Sequence, residues 1–82
     1  MSKLPQVSGA NCIKALQKFG FKVVKQRGSH VKLVKMTAAS HQIVTVPMHK
    51  IIKKGTLRNG ILRPINLSVD DFIKLLKIKG TT

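Results

Sequence analysis

Apolar residues at Cys12, Ile13, Leu16 and Phe19 are spaced three and four apart, the interval that lines one side of an α-helix. Ser8 ahead of them reads as an N-cap and Gly20 behind them as a stop, which predicts a first helix over Asn11 to Phe19. From Phe21 the pattern changes. Phe21 to Arg27 and His30 to Met36 are apolar and basic runs of strand length, separated by Gly28-Ser29. Glycine at the first central position suits a type II′ turn, where φ is positive, so the two runs form a hairpin with Arg27 facing His30. Thr37 to His41 is a small polar loop, and Gln42 to Val46 forms a third strand before Pro47. Pairing Met36 with Gln42 brings His30 opposite Met48, with His49 and Lys50 just beyond.

The alternation along the strands does not say which face is buried. Phe21, Val23, Val34, Val44 and Val46 fall together with Lys25 and Lys32, while Val24, Val31, Leu33 and Ile43 fall on the other side. After the basic connector Lys50 to Gly55, Thr56 caps a short helix carrying Leu57, Ile61 and Leu62. Pro64 would clash with the carbonyl of Gly60, which ends this helix by about Arg63. Ser68 then opens the last helix, with Val69, Phe72, Ile73 and Leu76 as its buried stripe. Asp70 and Asp71 complement its amino end, and Lys74, Lys77 and Lys79 its carboxyl end. The order α-β-β-β-α-α predicts a single α+β domain over residues 1–82, a three-stranded antiparallel sheet with helices packed on one face.

Charge changes the picture most. Among 82 residues, 16 Lys and Arg face two acids, a formal net charge of +14. Such a surface attracts phosphate polymers through Coulomb attraction and counterion release, which makes RNA or DNA the leading partner. A membrane surface fits poorly, since no segment pairs a basic helix face with a bulky aromatic one. No apolar run approaches the ~20 residues that span a bilayer, and Met1 to Gln6 lacks the apolar core of a signal peptide. A lone cysteine, Cys12 on the helix stripe, forms no internal disulfide and fits a reducing compartment, so a cytoplasmic location is expected.

The residue inventory narrows the chemistry. Metal-dependent phosphodiester cleavage needs carboxylates to hold the ion, and the only two here have a helix-capping explanation. Cys12, His30, His41 and His49 lack the spacing of a zinc site, and no metal or other cofactor is expected. His41 reads as an ordinary loop residue. RNA, however, carries its own nucleophile in the 2′-OH. An imidazole can take that proton or protonate the leaving 5′ oxygen, while Lys or Arg stabilises charge on the phosphorane. His30 is the candidate acid or base, with Lys25, Arg27, Lys32, His49 and Lys50 as candidate phosphate contacts and Gly28 and Ser29 setting the turn. With aromatic content at 4%, all Phe with core explanations, a base-stacking platform is not expected.

Leu4-Pro5, Ser8-Gly9, Ile13-Lys14-Ala15-Leu16, Gly20-Phe21, Gly28-Ser29-His30, Val46-Pro47, His49 and Gly55-Thr56-Leu57 stand in an order and spacing that resembles the HicA toxin family, from Leu4 to about Phe72. The resemblance implies a double-stranded-RNA-binding-domain-like fold. It further implies an mRNA interferase toxin of a type II toxin–antitoxin pair, which cleaves mRNA, arrests translation and is neutralised by a HicB-type antitoxin covering the basic site. On the same ground the histidine after Gly-Ser, His30, is the catalytic one. The chain departs from the family pattern at Arg63-Pro64-Ile65-Asn66, where a Gln-Ala-Gly-like segment is common, which bears on helix length and antitoxin contacts. The alternative is a non-catalytic RNA-binding module of the same fold, and a third reading is a subunit that binds an acidic protein through its basic face.

Overall fold

The computed structural model describes residues 4–77. Helix α1 (Gly9–Lys18) is followed by strands β1 (Lys22–Arg27), β2 (His30–Met36) and β3 (His41–Pro47), a π-helical segment (Thr56–Leu62), a 3₁₀ turn (Arg63–Ile65) and helix α2 (Val69–Lys77). The strands form one antiparallel sheet in the order β1-β2-β3. The α+β layout expected from the sequence is present.

Helix α1 starts two residues earlier than its apolar stripe suggests. Ser8 caps it, its Oγ accepting from the Asn11 N–H at 3.1 Å, which makes Gly9 the first helical residue. Gly9 sits there because the end of β3 runs against it. Its N–H donates to the His49 carbonyl at 2.9 Å, and a Cβ would overlap the Pro47 carbonyl oxygen and lie 2.8 Å from Met48 Cα. At the other end Gly20 has φ +109°, the left-handed turn that starts the sheet.

The loop between β2 and β3 is shorter than expected. Thr37 and Ser40 close it through three bonds, with the Thr37 N–H and Oγ1 both donating to the Ser40 carbonyl (2.7 and 2.6 Å) and the Ser40 N–H donating to Thr37 Oγ1 (3.0 Å). His41 is therefore the first residue of β3 rather than a loop residue, and pairs with Met36. The register moves by one from the Met36–Gln42 pairing, so His30 opposes Pro47, not Met48. The Met48 N–H instead reaches the Ser29 carbonyl at 2.6 Å.

That shift decides the faces. Val31, Leu33, Val44 and Val46 point inward and join Cys12, Ala15 and Leu16 of α1 in one core. Neither grouping read from alternation survives: Val34 goes out, and Val31 and Leu33 join Val44 and Val46. Lys35, next on the inner side, is drawn over the Phe19 ring at 3.6 Å, a cation–π contact at the margin of the core.

The segment after the sheet departs from a simple α-helix. Helical turns begin at Lys54, with the Leu57 N–H donating to the Lys53 carbonyl at 2.9 Å, so Thr56 lies inside the helix and caps nothing. Arg63 N–H bonds the Arg58 carbonyl, an i→i+5 link. Pro64 lacks an N–H and its ring would strike the Gly60 carbonyl in α geometry; π winding followed by a 3₁₀ turn removes that pairing. Asn66, at φ 55°, closes the segment. Ser68 caps α2 as expected, accepting from the Asp71 N–H at 3.1 Å. Phe72 is fully buried, with Val69, Leu75 and Leu76 packed on the core, so Leu75 rather than the expected Ile73 joins the stripe. Lys79 lies outside the described residues.

Candidate nucleic-acid interface

Between β1 and β2, Gly28 has φ +60° while Ser29 does not turn left-handed, the pattern of a type II′ turn, and Arg27 pairs with His30 as expected. From this pair the strands run back with strict alternation for two steps. Gln26 opposes Val31 on the inner side, and Lys25 opposes Lys32 on the outer side. Then β1 slips. Val23 opposes Leu33, and Val24 is left without a partner as a β-bulge.

The bulge reconciles two demands that plain alternation sets against each other. The turn requires Lys25 and Arg27 to face outward with His30. The core requires Phe21, 2% exposed, to face inward. Residues 21, 25 and 27 share a parity and would share a face in a regular strand; one extra residue separates them.

On the outer face Lys25, Arg27, His30, Lys32 and Thr45 line an open depression of about 220 Å³. Each of the five is exposed. Lys25 and Lys32 stand directly opposite one another, an arrangement of like charges that costs a sheet up to ~1 kcal/mol. Asp70 and Asp71, the chain's only acids, are in the first turn of α2, which packs on α1. Among the described residues, no side-chain carboxylate therefore neutralises the cations of the depression. The opposite end of this face carries the exposed apolar side chains Met36 and Ile43.

Of the expected phosphate contacts, the depression gathers Lys25, Arg27 and Lys32 around His30. His49 and Lys50 are exposed residues past the end of β3 and do not line it. Thr45 lines it and escaped sequence reasoning, because only the true register sets it opposite Lys32. His41 is at the far end of β3 from His30's partner Pro47, six residues or roughly 20 Å away. Among the described residues no three His, Cys, Asp or Glu side chains group as a metal site. Cys12 is fully buried, and burial pushes its thiol up to about 12, so it stays protonated and inert.

The fold and this face define a small, strongly basic α+β domain that holds an imidazole among unneutralised cations. The family model described as HicA toxin of bacterial toxin-antitoxin matches residues 9–65, from the first residue of α1 to the end of the 3₁₀ turn. The chain belongs to the HicA toxin family and is the toxin component of a toxin–antitoxin system. No curated protein and no solved structure matches it. No helix among the described residues is long and apolar enough to cross a membrane.

Proposed function

We propose that this toxin is a metal-independent endoribonuclease that cleaves mRNA and so inhibits translation in the cytoplasm, and that a HicB-type antitoxin neutralises it. The convergence of Lys25, Arg27, Lys32 and His30 on one depression carries this reading. Three cations around one imidazole match the needs of a phosphodiester whose charge grows in the transition state. A core-stabilising role explains none of them, since all are exposed and two repel each other.

In this mechanism the 2′-oxygen of the substrate attacks the adjacent phosphorus as its proton leaves, and the bond from phosphorus to the 5′ oxygen breaks as that oxygen gains a proton. The products are a 2′,3′-cyclic phosphate and a 5′-hydroxyl. His30 serves as general acid or base in one of the two transfers, and Lys25, Arg27 and Lys32 hold the phosphate and its developing charge. His49, a lysine and water are the remaining candidates for the other transfer. Gly28 and Ser29 act through the turn that fixes His30 opposite Arg27.

The test is cleavage of RNA in excess EDTA by the wild-type chain and by His30→Ala, with folding of both verified. Cleavage by the wild type alone supports the nuclease. Binding by both with cleavage by neither transfers the reading to a non-catalytic RNA-binding module.

A further inference from the structure

The sheet has two edges, β3 on one side and β1 on the other. Next to β3 the π-helical segment and 3₁₀ turn pack on the inner side, with Gln42 Nε2 donating to the Ile65 carbonyl at 3.4 Å. On its far side β1 has no neighbouring strand among the described residues, and all six of its residues are exposed. Its outward backbone N–H and C=O groups face solvent, the template on which another strand can pair. Val23 and Val24 on it are 44% and 57% exposed.

The side chains select the kind of strand. Lys22, Lys25 and Arg27 share the outer side of β1, opposing Val34, Lys32 and His30. A second copy of β1 laid along this edge sets cations against cations, which disfavours self-pairing. A strand carrying acidic residues opposite those cations and apolar residues on the inner side, beside Val23, is complementary. As a toxin of a toxin–antitoxin system, the chain has a protein partner able to supply one.

We propose that the open edge of β1 docks an extended strand of a partner protein, alternating acidic and apolar residues, which joins the sheet as its fourth strand. Main-chain hydrogen bonds along Lys22–Arg27 provide affinity, and the alternate side chains provide selectivity. Lys25 and Arg27 belong both to this edge and to the depression beside His30, so a docked strand draws on cations that RNA also needs. That competition rests on the RNA reading above; the docking does not.

The experiment titrates the full chain with a labelled, end-capped peptide of about seven alternating Glu and Val residues, and with the same peptide N-methylated at every amide. The methylated form keeps the side chains and charge but donates no backbone hydrogen bond. The expected result is at least about tenfold tighter binding of the unmethylated peptide, with amide exchange slowed in residues 22–27. Equal affinity of the two peptides, or slowing confined to other elements, overturns the proposal. RNA added to the peptide complex separates the two ideas. A peptide that docks on β1 yet leaves RNA affinity unchanged keeps the docking and removes the shared-cation competition.

Discussion

On the inner side of the sheet, Val31, Leu33, Val44 and Val46 are at most 3% exposed and share one core with α1. One residue along the same strands, His30, Lys32 and Thr45 stand in solvent on the outer side, beside Lys25 and Arg27. The inner face is held by apolar area and shape; the outer face carries repelling charges that no packing requires. The strands are thus stabilised from one side strongly enough to tolerate a cost of up to ~1 kcal/mol on the other. Stability and activity are therefore expected to separate cleanly between the faces.

The sharpest test pairs one substitution from each. Leu33→Ala removes a fully buried side chain and is expected to cost ~2–5 kcal/mol of stability by urea unfolding. His30→Ala is expected to leave stability within about 0.5 kcal/mol while reducing RNA cleavage by ~10²–10⁴-fold. A His30→Ala chain that unfolds, or one that cuts at the wild-type rate, breaks the comparison. Gly9→Ala comes next. The Pro47 and Met48 backbone leaves no room for its Cβ, so a loss of ~1–3 kcal/mol is expected in thermal unfolding, with RNA affinity unchanged below the melting range.

A pH series probes the buried side alone. Burial raises the Cys12 thiol to about 12 from its ordinary 9.0, so above pH 9 the unfolded chain ionises it while the folded chain does not. That contribution to stability is intact below about pH 9 and declines as pH rises towards 12, by up to ~1.4 kcal/mol per pH unit. Cys12→Val should flatten this part of the urea-unfolding profile relative to wild type. The smallest effect on stability is expected from Lys25→Gln combined with Lys32→Gln, a gain of a few tenths of a kcal/mol from relieved repulsion. The same change should reduce the salt dependence of RNA binding, by roughly 0.7 in log–log slope for each phosphate that is no longer neutralised. An unchanged slope would place the RNA elsewhere on the surface.

Much of the architecture follows from local rules that act over a few residues. Ser8 and Ser68 cap helices because a side-chain oxygen can reach an N–H three residues ahead whatever the rest of the chain does. Gly28-Ser29 sets a hairpin because φ above zero is available to glycine at little cost, and Arg27 meets His30 as a direct consequence. The placement of His30 beside Arg27 at the turn was legible for the same reason, and the order of the short motifs made the family legible.

Most of the elements, the turn that pairs Arg27 with His30 and the excess of positive charge follow from neighbouring residues or simple composition. Tertiary structure decided the rest. The Thr37–Ser40 loop set the β2–β3 register, placing Thr45 rather than Val46 opposite Lys32 and leaving His49 and Lys50 outside the depression. The bulge at Val24 turned Phe21 inward while Lys25 and Arg27 stayed outward, and π winding accommodated Pro64. A period-two pattern carries no information about where it slips. The competition between a buried Phe21 and a turn fixed seven residues later requires one slip between them, and the fold places it at Val24.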